Sequence, residues 1–163
     1  MKKSFIKFTL ILLTINLTLS CSSGSSSDDN NINPTPTANF IKFTYNSVNY
    51  SLGIPETYDG DKKEIRGGQG INQEYKKISL WMPLNVSTGV HNVTIDPTNP
   101  NSYEIHFVSQ AEALYLDGVS GTINITSITD TTIKGTFQCT GLNASDETVV
   151  ISNGTFQADR NQL

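Results

Sequence analysis

From Phe40 onward, apolar residues recur at every second position, and no ten-residue window carries a helical stripe. This period admits strands and little else. The clearest case is FIKFTYNSVNYSL. Ile41, Phe43 and Tyr45 precede a turn at Asn46 and Ser47, and Val48, Tyr50 and Leu52 follow it. Asn tolerates positive φ, so the pair makes a two-residue hairpin turn. That turn sets Tyr45 opposite Val48, Phe43 opposite Tyr50 and Ile41 opposite Leu52, so all six share one face.

Further runs follow the same period. PETYDGDKKEIRGGQGINQ reads as one irregular strand over residues 63–67 and otherwise loop. In EYKKISLWMPL, Ile78, Leu80 and Met82 share a face until Pro83 ends the strand. VHNVTI and YEIHFV flank the turn signal DPTNPN; the second has Tyr103, Ile105 and Phe107 on one face and Glu104 and His106 on the other, and if the two form a hairpin the better register sets His91 opposite Ile105. EALYL and SGTINITSI read as two separate strands. IKGTFQC sends Ile133, Gly135, Phe137 and Cys139 inward. In ETVVISNGTFQA, Asn153 and Gly154 form either a tight turn or a bulge. The expected fold is all-β: a single antiparallel β-sandwich or barrel-like domain of roughly eight to ten strands.

Residues 1–20 differ in kind. Lys2, Lys3 and Lys7 precede an uncharged apolar stretch over residues 8–19. It is about a dozen residues long, whereas a membrane span needs about twenty, so it reads as a signal-peptide h-region. Ser20 and then Cys21 follow it directly, which resembles the lipobox of bacterial lipoproteins. The resemblance implies lipidation at Cys21 and a new N-terminus there. Thr18, Leu19 and Ser20 depart from the usual lipobox order, in which Leu stands three places before the Cys. The next segment, SSGSSSDDNNINPTPT, is too polar to bury surface and reads as a disordered tether. The expected organisation is therefore signal peptide 1–20, lipidated Cys and tether 21–39, and all-β domain 40–163.

Charge narrows the partners. Removing the three lysines of the signal leaves eight basic against fifteen acidic residues, a charge of −7. Nucleic acid is excluded by that balance. With Cys21 lipidated, Cys139 has no disulfide partner and reads as a small buried thiol.

The segment SGTINITSITDTTIKGTFQCTGLNASDETVVISNGTFQA resembles the closing part of an uncharacterised family of Bacteroidota-type envelope lipoproteins with an all-β domain. The residues carrying the likeness include Ser120, Gly121, Thr122, Asp130, Gly135, Phe137, Val149, Ile151, Gly154 and Phe156. The resemblance implies a fold and an envelope location, facing either the periplasm or the outside, most simply at the outer membrane. It implies no activity. Asp130, Thr131 and Thr132 also resemble an O-glycosylation acceptor of that phylum, which makes Thr131 a candidate modification site.

No catalytic signature surrounds His91 or His106, the two histidines, and fifteen positions separate them. No metal or cofactor is expected. Asp59 and Asp61, with Glu56 and Glu64, read as a solvated turn rather than a calcium loop. Lys62, Lys63, Arg66, Lys76 and Lys77 read as part of a mixed, solvated hairpin, and the alternative is a docking patch for an acidic partner or glycan. Trp81 has the opposite parity to Ile78, Leu80 and Met82, so in a one-sided sheet it points outward, and Tyr75 shares its parity. Those two are the candidate ligand-binding residues. The expected function is a non-enzymatic module, anchored to the membrane by lipid, that binds a glycan or an envelope protein. The alternatives are a polysaccharide-directed hydrolase and an inhibitor or immunity-type protein.

Overall fold

The computed structural model describes residues 38–160; the signal, Cys21 and most of the tether lie outside the described residues. In chain order the described strands are β1 (Phe40–Tyr45), β2 (Val48–Ser51), β3 (Glu56–Asp59), β4 (Lys63–Gln69), β5 (Lys76–Met82), β6 (Gly89–Asn92), β7 (Glu104–Ser109), β8 (Leu114–Ile128), β9 (Thr132–Leu142) and β10 (Thr148–Asp159). They form one sheet in the order β2-β1-β10-β9-β8-β7-β5-β4-β3, with β6 paired to β8. All the pairings between these strands are antiparallel. Of the sandwich and the barrel, the structure takes the second: a single curled sheet, a half-barrel with its core on the concave face.

The alternation explains that core. Ile41, Ile65, Ile78, Leu80, Met82, Ile105, Phe107, Ile123, Ile133, Ile151 and Ala158 are fully buried. The first hairpin has the expected register, Tyr45 with Val48 and Phe43 with Tyr50, and its turn residues Asn46 and Ser47 both have positive φ. Phe43 and Phe107 meet edge-on, with ring centroids 5.1 Å apart, which ties this hairpin to β7 across the interior. Cys139 is a buried free thiol, and burial pushes its pKa up to about 12.

Two cross-strand pairs explain the glycine–phenylalanine pattern near the C-terminus. Gly154 lies opposite Phe137, and Gly135 lies opposite Phe156. Each ring covers the other strand's glycine: a Cβ on Gly135 would come within 2.8 Å of the Phe156 ring. Asn153, at φ 52, is the extra residue of a bulge, because the register with β9 shifts between Ile151 and Gly154.

Several expectations are corrected. Residues 56–59, read as loop, form β3, which pairs with β4 from Glu56 opposite Arg66 to Asp59 opposite Lys63. EALYL and SGTINITSI are parts of one 15-residue strand, β8. A register shift between Gly118 and Ser120 absorbs the break in alternation, and the strand runs on. β6 does not pair with β7. It lies against the second half of β8, with His91 opposite Ile123, while β7 pairs with the first half. Sequence alternation cannot choose among partners that present the same parity. Lys62 and Lys63 are 8% and 3% exposed, so this hairpin is not a solvated one.

The curl brings the two ends of the sheet together. Ile41 and Leu52 pack directly on Gly67 of β4, where a Cβ would overlap the Ile41 side chain and stand 2.6 Å from the Leu52 carbonyl oxygen. Nearby, Thr57 Oγ1 donates to the Asp159 carbonyl, and Lys63 Nζ donates to the Arg160 carbonyl at 3.3 Å. Side-chain bonds thus bridge a seam that no ladder closes. Gly67→Ala is expected to destabilise the protein by about 1–3 kcal/mol through overpacking. Gly68→Ala, whose Cβ would meet only the Lys76 carbonyl at 3.5 Å, is expected to be near neutral. Urea denaturation of the two variants reads the difference.

Candidate functional site

On the convex face, β5, β7 and β8 present the side chains that alternate with the core. Two connections cover part of this face: the turn after β3, around Gly60 and Asp61, and the segment 94–102. Beneath them lies a cleft of about 1130 Å³. Its walls include Trp81, Leu84, Pro97, Pro100 and Tyr115, and its polar groups are Asp61, Lys62, Lys77, Ser79, Glu104, His106 and Asp117.

Strand register places these groups. Trp81 of β5 pairs with Glu104 of β7, and Ser79 pairs with His106. His106 in turn pairs with Asp117 of β8, and Val108 with Tyr115. A row Ser79, His106, Asp117 therefore crosses three strands. His106 Nδ1 lies 2.6 Å from Asp117 Oδ1, and Nε2 lies 3.1 Å from Glu104 Oε2.

Glu104 is the centre of the network. It is 5% exposed and accepts from Lys62 Nζ, from Ser102 Oγ at 2.7 Å and from His106. Burial opposes its charge. The hydrogen bonds from Lys62, Ser102 and His106 outweigh that and hold its carboxyl below the usual carboxylate range. Ser102 Oγ also lies 2.9 Å from the Asp96 and Asn99 carbonyl oxygens, which compete with Glu104 for its single proton. Lys62 reaches the pair from the turn, which explains its burial.

The chemistry available is limited by these bonds. A serine hydrolase needs the hydroxyl on the base nitrogen. Nε2 of His106 faces Glu104 instead, and Ser79 Oγ has no hydrogen-bond partner. A glycosidase needs two carboxyls with open space between them. Here the imidazole of His106 lies between Glu104 and Asp117 and is bonded to both.

Of the residues expected from sequence, Trp81 lines the cleft and is half-buried. Tyr75 does not line it. It follows the short 3-10 turn Asn72–Glu74, and its carbonyl accepts from Gln110 N at 2.9 Å. Six strand positions, about 20 Å, separate it from Trp81. Thr131 is exposed in the turn between β8 and β9, where its carbonyl accepts from Arg160 N at 2.8 Å. His91 stacks on Tyr103 with centroids 4.1 Å apart, away from His106. Asp59 pairs with Lys63, and Glu56 with Arg66 at 3.3 Å, so these carboxylates serve the β3–β4 hairpin. Sequence reading did not assign Lys62, Lys77, Ser79, Glu104, Tyr115 or Asp117 to one site. The outward parity of Trp81, Glu104 and His106 on their own strands, and the basic cluster that includes Lys62 and Lys77, were its only traces.

The family described as a domain of unknown function, DUF6252, matches residues 57–158, more than half of the chain, so the chain belongs to it. No curated protein and no solved structure matches the chain.

The buried pair yields an expectation with a definite sign. The folded-state pKa of Glu104 is lowered from 4.5, so its ionised form stabilises the fold above that pH, and the contribution is lost as pH falls through the folded value. Glu104→Gln leaves Lys62 buried without a counter-charge and is expected to lose about 3–5 kcal/mol near neutral pH. The gap to the parent protein should narrow on acidification below 4.5. Denaturant titrations of both proteins across that pH range check it.

Proposed function

We propose that this member of a family without an assigned activity is an envelope lipoprotein of Bacteroidota type, which binds carbohydrate without catalysis in the Trp81 cleft. One observation carries the reading. The cleft combines aromatic surface, Trp81 and Tyr115, with a polar floor in which Lys62, Glu104, His106 and Asp117 are already bonded to one another. Sugars pack their C–H faces on aromatic rings and need fixed polar groups around them for their hydroxyls. That network is rigid and holds its own carboxylates and imidazole in hydrogen bonds, which favours recognition over hydrolysis. The envelope location rests on residues 1–20, on Cys21 as the lipid acceptor and on the polar tether. Two acyl chains at Cys21 suffice for stable anchoring. Thr131, exposed in its turn, is the proposed glycan acceptor.

Trp81→Ala is expected to weaken binding to an immobilised glycan panel at least tenfold, with an unchanged circular dichroism spectrum. A folded parent protein that binds nothing across a broad panel would overturn the binding reading. The intact mass of the protein purified from its native membrane tests the two modifications together. The expected mass begins at Cys21 with a diacylglyceryl adduct, absent in Cys21→Ala, and carries a glycan lost in Thr131→Ala. An unmodified chain removes both assignments.

A further inference from the structure

The outward face of β5 sets Lys77, Ser79 and Trp81 at alternate positions, all lining the cleft. Positions 77 and 81 stand about 13 Å apart along the strand backbone, with position 79 midway. Two of these three groups have no partner. Ser79 is 1% exposed, and its Oγ makes no hydrogen bond. Buried hydroxyls are nearly always bonded; Ser109 Oγ is unbonded too, but Ser79 is the one of the two that lines the cleft, where a ligand oxygen could accept from it. Among the described residues no carboxylate pairs with Lys77. The other basic side chains of the cleft are engaged: Lys62 on Glu104, and His106 on Glu104 and Asp117. Lys77 is thus the one lining cation among the described residues without an acidic partner. At the other end of the cleft stands Asp61, exposed beside the buried Lys62.

We propose that the cleft takes a sparsely charged anionic glycan: an acidic sugar against Lys77, the next neutral sugar over Trp81, and an oxygen between them accepting from Ser79 Oγ. The charge pattern sets the sparseness. A densely charged polyanion would bring negative groups onto Asp61 and Asp117, whereas one acidic sugar followed by a neutral one meets a cation and then an aromatic face. Lysine offers a point charge rather than a planar fork, so a carboxylate or a sulfate fits equally. The proposal rests on the carbohydrate reading above and adds the class of sugar.

Isothermal titration of the folded protein tests it with four probes. These are a hyaluronan oligosaccharide, which alternates uronate with neutral sugar, its carboxyl-reduced counterpart, a singly sulfated neutral oligosaccharide, and polyglutamate. Uronate or sulfate is expected to bind at least tenfold more tightly than the reduced chain, and the better of the two identifies the anion. Lys77→Gln should abolish that preference and leave affinity for the reduced chain unchanged, while Lys77→Arg retains it. Ser79→Ala should weaken binding several-fold without lowering the melting temperature of the free protein; a marked drop in melting temperature would make Ser79 structural and overturn its role. If the reduced chain binds as well as its parent, or Lys77→Gln changes nothing, the charge inference fails and the carbohydrate reading stands. If no oligosaccharide binds, both fail. Polyglutamate binding with the same dependence on Lys77 would show that charge alone is read and would also overturn the proposal.

Discussion

One sheet has one apolar face to hide, and nothing in the described chain is available to cover it except the sheet itself. The contact of Ile41 and Leu52 with Gly67 is where that requirement is met. Any side chain larger than a hydrogen on Gly67 would hold the ends of the sheet apart and admit water to the core residues beside it. The seam is not a ladder. It combines that apolar contact with Thr57 and Lys63 donating to the carbonyls of Asp159 and Arg160. The burial of Lys63 follows from this, because its ammonium works at the seam and is balanced by Asp59.

Closing the concave face leaves the convex face with the remaining side chains, and here polar groups are buried as deeply as apolar ones elsewhere. Lys62, Ser79, Ser102 and Glu104 are all under 9% exposed. Burying charges without partners would be strongly unfavourable, and Lys62 with Glu104 avoids it by hydrogen bonding as well as by opposite charge. The pair joins the turn after β3 to β7, and Ser102 joins β7 to the covering segment. The cleft and its rigidity therefore share one cause. Its aromatic wall and its engaged acid–base groups support recognition of a sugar more than chemistry on one.

The first hairpin was legible because turn type and alternation agree on a single register, from Phe43 with Tyr50 to Tyr45 with Val48. The inward set of β9, and the outward Trp81, Glu104 and His106, were legible from parity. Partner choice was not. β6 could lie against β7 or β8 on parity alone, and β8 looked like two strands until its bulge at Gly118 and Ser120 was seen to preserve the ladder. Tyr75 shows the limit of parity in the site as well. It has the same parity as Trp81, yet it falls at the far end of β5, beside the 3-10 turns, outside the cleft.

Alternation and turn residues by themselves determined that this chain is all-β, which strand faces turn inward, and that Trp81 faces away from the core, because each rests on local geometry repeated every two residues. The charge pattern and the Cys21 motif likewise belong to the sequence alone. Only the tertiary structure decided between sandwich and barrel, buried Lys62, and gathered Lys77, Ser79, Glu104, His106 and Asp117 into one cleft. Those outcomes depend on which strands become neighbours and how far the sheet curls, and both are set by contacts between residues distant in sequence, such as Ile41 with Gly67 and Lys62 with Glu104.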